Sequence, residues 1–443
     1  MLQRMEGRTP GRHARQSAAD TGEDQKAMLT GLWRPRRVLL YAAALCLITL
    51  IPYTIALVSD VARGAFPAGS SGAPVGGDLP SHLLGGRLFL HGDLHRLYDL
   101  DYQRQFWLAW FPAADFNPYV SPPFMTVVYA PLAALPYGLA LAIWTVISVS
   151  SLVLSFHLLW PLLPNLHRFG RRTLLAHLFV APPVLYVLFG GQDSAVSLLL
   201  LAGGLRLLLG GQSLVAGALL GLGVYKPQLF VIVPVLLLAQ RRWRALAGWI
   251  ITAGGLTLIS MAMVGSQGIR DYAALPGSAF YRHAVVEGKG WEMQSFVALA
   301  RAVLPPSLQA AVAPLTIVVG LIAGALLARS AMRHRQDERA VPAVFGLALL
   351  AVPFVSPHLF LYDTLILAIP VLLLANADLR DWVLRWVLAL AYLCLWTTPY
   401  RHFAVEGLPW PATLVEAPWG QIAFVALFAL SHHRLMRAST SAC

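Results

Sequence analysis

The sequence predicts an all-α, polytopic integral membrane protein with about 12 transmembrane helices. Its 443 residues are 57% hydrophobic and only 12% charged, whereas soluble domains carry about 25% charged residues. The apolar tracts are continuous runs of Leu, Ala and Val, which is typical of spanning helices. An outer-membrane barrel would instead show short alternating segments. These observations exclude both a soluble globular protein and a membrane barrel.

The first 37 residues are polar and Arg-rich and have no apolar periodicity, which predicts a disordered cytoplasmic tail. The first apolar run, residues 38–59, follows directly. No convincing small-residue cleavage site comes after it, so we interpret it as the first span and not as a signal peptide.

Eleven further apolar tracts predict the remaining spans. They lie near residues 138–163, 174–190, 193–209, 213–225, 228–239, 245–264, 310–328, 340–356, 358–375, 384–398 and 421–436. The stretch 122–136 contains four prolines, and we interpret it as a re-entrant or interfacial segment. The tracts at 213–225 and 228–239 are too short to span unless they are kinked or tilted.

The positions of the charged residues predict the topology. The 33 basic residues outnumber the 21 acidic ones, but they concentrate in the segments assigned to the cytoplasm, as the positive-inside rule requires. The excess of positive charge therefore indicates membrane orientation and not nucleic acid binding. Residues 38–436 are predicted to form one membrane domain, and residues 437–443 a short cytoplasmic tail.

Two predicted outer loops, residues 60–121 and 265–309, are long enough to form a working surface. The first spaces apolar and polar residues as in short helices that lie in the membrane interface. The second mixes arginines with aromatic residues, which suits phosphate and sugar recognition, although a solvated loop explains most of these residues equally well. No phosphate loop, zinc motif or cysteine framework is present.

Ionisable residues near the outer ends of spans are the candidates for chemistry, because a charge at membrane depth is costly and usually functional. Asp78 lies between a glycine pair and Pro80, so it is either a catalytic carboxylate or the cap of a helix that begins near Ser81. Lys226 precedes Pro227 between two short apolar runs. We expect an unpaired ammonium there that binds an anion such as phosphate, with a snorkelling interface lysine as the alternative.

For two further groups of polar residues, a purely structural role is the alternative to a functional one. His358 lies four residues before Tyr362, on the same helix face if a helix begins at Pro357, but a lone membrane histidine is more often a packing residue. Gln192 and Asp193 follow a glycine pair, and a hairpin turn with polar tips is an adequate explanation for them.

Five ordered elements cover about residues 75–375 of the chain. They are Gly77-Asp78; Gly92-Asp93 through Leu97-Tyr98-Asp99; Ser121-Pro122-Pro123-Phe124 with Ala130-Pro131-Leu132 and Leu135-Pro136; Gly191-Gln192 followed by Gly217 to Lys226-Pro227-Gln228 and Arg241-Arg242-Trp243; and Ser356-Pro357-His358 with Tyr362-Asp363. In this order the five elements resemble glycosyltransferase family 87. This family contains membrane-embedded mannosyltransferases that depend on polyprenyl-phosphate-mannose and have the C-type glycosyltransferase fold. Two motifs depart from the family pattern: Asp193-Ser194 stands where an asparagine is typical, and Met293-Gln294-Ser295 replaces Asn-Gln-Ser. The departures concern the identity of the sugar more than the reaction.

The resemblance implies a C-type fold with interfacial helices in the first outer loop, and an inverting transfer of a sugar, typically mannose, from a polyprenyl-phosphate donor. The acceptor is a glycolipid or cell-envelope glycan at the outer face of a bacterial cytoplasmic membrane. The implied site residues are Asp78 as general base; Lys226, His358 and Arg282 around the donor phosphate; and Asp93, Gln192, Gln228 and Tyr362 around the substrates. No cofactor is implied, and no metal is inferred, although Asp78 and Asp93 offer oxygen ligands for a divalent ion. A transporter or flippase of a lipid-linked glycan is the alternative function.

Overall fold

A computed structural model describes residues 75–112, 115–281, 283 and 288–438, together with scattered positions between 37 and 59. Within these ranges the chain is helical, with an isolated antiparallel bridge between Met293 and Phe360 as its only extended pairing. This confirms the predicted all-α class. The N-terminal tail, most of the first span (38–59), Arg282 and the last five residues lie outside the described residues.

The helices whose ends are described are numbered here in chain order. They are α1 (Leu79–His91), α2 (Leu100–Trp110), α3 (Met125–Ala133), α4 (Tyr137–Leu159), α5 (Arg171–Phe179), α6 (Pro182–Phe189), α7 (Ser194–Leu209), α8 (Ser213–Gly221), α9 (Pro227–Phe230), α10 (Ile232–Ala239), α11 (Trp243–Ala274), α12 (Ala279–Tyr281), α13 (Phe296–Val303), α14 (Val312–Arg333), α15 (Val341–Val355), α16 (Ala368–Asp378), α17 (Trp382–Val405) and α18 (Gly420–Ala438).

Within the described ranges, five helical stretches are long and apolar enough to cross a membrane. They are Tyr137–Leu162, Trp243–Tyr281, Pro306–Arg333, Glu338–Val355 and Trp382–Val405. A sixth candidate is the pair of α5 and α6, which is bent by 63° at its break. A multi-pass membrane protein is therefore supported, but the structure does not confirm 12 crossings. Some predicted spans are short: α7 has 16 residues, or about 24 Å of helix against a hydrocarbon core of about 30 Å.

The predicted span at 358–375 is not one helix. Residues 356–361 are non-helical, because this backbone pairs with the second long loop: the Gln294 N–H donates to the Leu359 carbonyl (2.5 Å), and Phe360 bridges to Met293. A 3-10 segment, Tyr362–Leu367, and then α16 follow. The prediction that His358 and Tyr362 share a face of a helix is therefore wrong.

The predicted span at 245–264 ends at a conformational break. Gly265 has φ +67° inside α11, a left-handed conformation that glycine adopts without steric cost. The helix continues beyond this kink into the residues assigned to the second long loop. The chain thus changes direction at the residue where the apolar tract stops.

The described part of the first long loop, residues 75–112 and 115–121, contains two helices, α1 and α2, but α1 is not a surface helix. Leu79, Leu83, Leu84 and Leu88 are all fully buried, because α1 packs along α3. The nine residues of α3 are about 13 Å long, too short to cross a membrane. This length is consistent with our interpretation of residues 122–136 as a segment that does not span.

Candidate active site

Two glycine turns from distant parts of the chain contact each other and define the site. Gly77 and Gly191 have φ +55° and φ +58°, and a Cβ on Gly77 would lie 2.5 Å from the Gly190 carbonyl oxygen. The backbone N–H of Asp78 donates to that carbonyl (3.0 Å). Any side chain at this contact would force the turns apart. The backbones therefore bring Asp78 and the residues after Gly191 together.

Three donors from three other segments hold the Asp78 carboxylate. Oδ2 accepts from the Gln192 amide (2.6 Å), and Oδ1 accepts from the Asn117 amide (2.9 Å). The Lys289 ammonium lies 3.2 Å from Oδ1, and the Asp78 side chain remains 22% exposed. Asp78 does occupy the N-cap position of α1, but its side chain makes no capping hydrogen bond. Its carboxylate is thus directed at other segments and not at the helix end.

The surroundings of Asp78 keep it ionised. Burial by itself would raise the pKa of this carboxyl, but the Lys289 ammonium, the Gln192 amide, His82 and the Asn117 amide together outweigh burial and hold the pKa well below its usual range. In return, the carboxylate raises the pKa of the Lys289 ammonium. The resting site is a carboxylate paired with an ammonium.

His82 lies one helical turn after Asp78 and near a second charged group. Its ring stacks on Tyr129 (centroids 4.6 Å apart, 4° between planes). Burial lowers the pKa of the His82 imidazole, although Asp193 and Asp78 both act against burial. A neutral imidazole therefore lies within electrostatic range of both carboxylates.

The Lys226 ammonium is enclosed by counter-charges. Its Nζ lies 2.6 Å from Asp193 Oδ1, 2.8 Å from Asp363 Oδ1 and 3.0 Å from Ser194 Oγ. The prediction of an unpaired ammonium at this position is wrong, because a buried cation needs compensating charge and the fold supplies two carboxylates. We call Lys226, Asp193, Asp363 and Ser194 the Lys226 cluster.

The polar side chains in the turn after Gly191 are buried. Gln192 is 6% exposed and Asp193 is 3% exposed, with Gln192 bonded to Asp78 and Asp193 paired with Lys226. The hairpin interpretation explains the backbone here but not the two side chains. Consecutive residues thus connect the Asp78 site and the Lys226 cluster.

His358 lies in a different basic environment. Its ring contacts Tyr281 edge-on (centroids 5.6 Å apart), and burial together with the nearby Arg301 lowers the pKa of its imidazole. The bridge between Phe360 and Met293 ties this segment to the loop that carries Lys289. Arg282, the residue after Tyr281, lies outside the described residues.

The other predicted site residues are not all brought to these groups: the 13 residues of α1, about 20 Å of helix, separate Asp93 from Asp78. Asp93 accepts a hydrogen bond from the Tyr102 hydroxyl (2.8 Å) and starts the 3-10 turn Leu94–Arg96. Gln228 is partly buried in α9. The Lys226 ammonium lies 5.1 Å from the centre of the Tyr362 ring. Among the described residues, no group of three or more His, Cys, Asp and Glu side chains is arranged to hold a metal ion.

Sequence reasoning missed Asn117 and gave Lys289 and Glu292 no individual role. Asn117 stands before a proline in an otherwise aromatic segment, Phe116-Asn117-Pro118, and that isolated amide was the available signal. Lys289 and Glu292 belong to a loop that the composition makes look solvated. Burial nevertheless raises the pKa of the Glu292 carboxyl to about 7, against the opposing effect of Lys289.

The family model of glycosyltransferase family 87 matches residues 119–357, more than half of the chain. No curated protein and no solved structure matches the chain at a significant level. The matched range contains Gln192, Lys226 and Lys289. Asp78 precedes this range, and its contacts with Gln192 and Lys289 connect it to the matched part. On the extent of this match, the chain belongs to glycosyltransferase family 87.

Proposed function

We propose that this membrane glycosyltransferase transfers a sugar, most simply mannose, from a polyprenyl-phosphate donor to a glycolipid or cell-envelope glycan. The transfer inverts the anomeric configuration, and Asp78 is the general base. The observation that carries the proposal is the Asp78 carboxylate, which is partly exposed yet fixed by Gln192, Asn117 and Lys289. A fixed and ionised carboxylate at an open position is what proton removal from an incoming hydroxyl requires.

The chemistry needs one base and no acid. The acceptor oxygen attacks the anomeric carbon while Asp78 takes its proton. The bond between that carbon and the phosphate oxygen breaks, and its electron pair leaves with the phosphate. A phosphate monoester is stable as an anion, so the protonating carboxylic acid used by glycoside hydrolases is not required.

The electrostatics favour His358 and Arg301, together with Arg282, as the groups around the donor phosphate. The Lys226 cluster combines one ammonium with two carboxylates and so carries a formal charge of −1, which repels an anion. We therefore replace Lys226, the residue expected from the sequence, by Arg301, whose positive charge contributes to the lowered pKa of the His358 imidazole. Lys226 then has a supporting role beneath the site.

The remaining predicted residues complete the proposal. Gln192 orients the base, and Tyr362, with Asp93 and Gln228, contributes to the substrate surface. We extend the proposal to a C-type fold with 12 crossings, which the family resemblance supports, and to a site at the outer face of a bacterial cytoplasmic membrane, which the charge distribution supports.

The second candidate function, a transporter or flippase of a lipid-linked glycan, needs a polar path across the membrane midplane. The Lys226 cluster is satisfied by its own ion pairs, which favours a structural element over a transport path.

The test is sugar transfer by purified protein in detergent, with radiolabelled polyprenyl-phosphate mannose and a glycolipid extract as acceptor. A flippase gives no product in this assay, because detergent leaves no compartments. Asp78→Asn is expected to lower turnover by at least about 10²-fold with little change in donor binding. Asp93→Asn tests the other candidate carboxylate of the same loop, and an inactive Asp93→Asn beside an active Asp78→Asn would show that Asp93 is the base.

A further inference from the structure

The segment Lys289–Ser295 carries the ammonium that pairs with Asp78. Lys289 Nζ lies 3.2 Å from Asp78 Oδ1, and Lys289 directly precedes the 3-10 turn Gly290–Glu292. The backbone N–H of Glu292 donates to the Lys289 carbonyl (3.1 Å). The position of this turn therefore determines where the Lys289 side chain begins.

On one side, the segment pairs with the backbone of residues 357–360. The Gln294 N–H donates to the Leu359 carbonyl (2.5 Å), and the Ser295 hydroxyl donates to the Pro357 carbonyl (3.3 Å). These two bonds hold the end of the segment that follows the turn. They do not involve the turn itself.

On the other side, the turn packs against His402, in the last turn of α17. The Trp291 indole and the His402 imidazole lie face to face, with centroids 4.7 Å apart and 3° between their planes. The imidazole is itself fixed, because its Nδ1 lies 2.8 Å from a carboxylate oxygen of Glu416, and its side chain is only 18% exposed. A ring whose orientation is fixed in this way is a rigid support for the indole.

The C-terminal helix holds the segment at a second point. The side-chain amide of Gln421, in the first turn of α18, donates to the Gln294 carbonyl, and Gln421 is fully buried. Helices α17 and α18 pack against each other, and both follow the range 119–357 that the family model matches. The segment that carries Lys289 is thus supported by a part of the chain outside that range.

We propose that His402 is a positioning residue, which holds Lys289 against the Asp78 carboxylate through its stack on Trp291. The inference rests on the proposed role of Asp78 as general base. It adds no step to the reaction, since the proton still passes from the acceptor hydroxyl to Asp78. A purely structural role of His402 predicts a loss of stability without any change at Asp78.

The consequence of losing this support can be measured at Asp78. Burial raises the pKa of the Asp78 carboxyl, and among the groups that oppose burial the Lys289 ammonium has the largest effect. The other groups within electrostatic or hydrogen-bonding range are the Gln192 and Asn117 amides, His82, Glu292 and Tyr362. The attraction between two charges weakens with distance. If Lys289 moves away, the pKa of Asp78 therefore rises, and Asp78 takes up its proton at a higher pH.

The first test needs no substrate and follows the protonation of Asp78 by infrared spectroscopy of the detergent-solubilised protein. In the wild type, the carboxyl absorbance that Asp78→Asn removes should appear only below about pH 4. In His402→Ala it should appear at a pH that is higher by about 1 or more, and Lys289→Met should show the same rise. His402→Phe, which keeps a ring against Trp291, should retain the wild-type value.

A double variant tests whether the two residues act through one contact. The protein with both Lys289→Met and His402→Ala should take up the Asp78 proton at the same pH as Lys289→Met alone, because the ammonium that His402 positions is already absent. A His402→Ala protein with the wild-type titration, beside a Lys289→Met protein with a raised one, would overturn the inference.

Trp291→Ala removes the other ring of the stack, so it tests the same contact if His402→Ala does not fold. It should also raise the pH at which Asp78 is protonated. A wild-type titration in Trp291→Ala would equally overturn the inference.

Phe403→Ala is the matched control. Phe403 follows His402 directly but is 68% exposed, and its ring lies 6.4 Å from that of Trp291 at an angle of 44°. Asp78 should therefore titrate in this variant as in the wild type. A rise in Phe403→Ala as large as that in His402→Ala would show that any change at the end of α17 has this effect, and the specific role of His402 would be lost.

The activity assay separates this inference from the proposed function. In transfer from polyprenyl-phosphate mannose, the acid side of the rate profile should move to higher pH in His402→Ala by the same amount as the infrared titration. If the titration responds to His402→Ala but the wild type transfers no sugar from this donor, the proposed function is contradicted and the support of Lys289 by His402 stands.

Discussion

The Asp78 site and the Lys226 cluster are joined by two consecutive residues, Gln192 and Asp193, but the charged side chains of the two groups differ in their exposure. In the Lys226 cluster, the side chains of Lys226, Asp193 and Asp363 are 12%, 4% and 1% exposed. In the Asp78 site, Asp78 is 22% exposed and Lys289 is 40% exposed. In the enclosed group one ammonium contacts both carboxylates, whereas the open group has a carboxylate that remains partly exposed. In the proposed mechanism, the enclosed group supports the site and the open group supplies the base.

The largest effect is expected at the enclosed group, where Lys226→Met leaves two buried carboxylates facing each other. Removing one partner of a buried ion pair costs about 3–5 kcal/mol, so the melting temperature in detergent should fall by about 5 °C or more. Lys289→Met, at the open group, should leave the melting temperature close to that of the wild type. Equal melting temperatures for Lys226→Met and the wild type would remove the distinction between the two groups.

The next effect concerns the turn that joins the two groups. In Gly191→Ala the new methyl group would overlap the Gly76 carbonyl oxygen and move Asp78 relative to Gln192. A displacement of about 1 Å can reduce turnover about 10²-fold, so we expect a loss of turnover in a protein that still folds.

The control for the turn is Gly211→Ala. Gly211 also has a positive φ (+74°), but a Cβ added there would meet no atom within 4 Å. This variant should lose about 1 kcal/mol of stability from backbone strain alone and keep its turnover. Equal turnover in both alanine variants would show that strain, and not the contact between the turns, determines the result.

The smallest effect is expected at the side chains that we propose to bind the donor phosphate. His358→Ala and Arg301→Ala should each lower turnover and donor affinity by about tenfold. The double variant should lose less than the product of the two fold-changes, because both residues act on one group. Lys226→Met should instead combine with His358→Ala independently. A His358→Ala enzyme with normal kinetics and a lower melting temperature would identify His358 as a packing residue.

Local patterns predicted the helices well where the chain is continuous and apolar, as in α4 and α14. The apolar tract predicted at 245–264 also ends beside Gly265, where the helix is kinked, although the kink itself was not predicted. Local patterns failed at residues 358–375, where pairing with Met293 and Gln294 competes with helix formation. Such pairing joins segments more than 60 residues apart, as the hydrogen bond from Ser295 to the Pro357 carbonyl illustrates, and no local pattern encodes it.

In the candidate site, too, local sequence indicated some residues but not the distant residues that contact them. Asp78, Gln192 and Lys226 were recognisable because a polar residue beside Gly or Pro in an apolar chain is conspicuous. Their partners were not: Lys289 lies 211 residues from Asp78, and a lysine in a polar loop looks solvated until the fold brings it to a carboxylate. The charge state of Lys226 was misjudged for the same reason, since Asp193 and Asp363 become its neighbours only in the folded chain.

The contact between the two glycine turns also bears on how relatives of this chain are recognised. The carboxylate lies before the range that the family model matches, while the amide that binds it lies 114 residues later and inside that range. A paired signature, Gly-Gly-Asp followed at long range by Gly-Gly-Gln, describes a single structural contact, because the two turns pack directly against each other. Searching for both halves together would find the proposed base in divergent sequences whose upstream loop has no other recognisable feature.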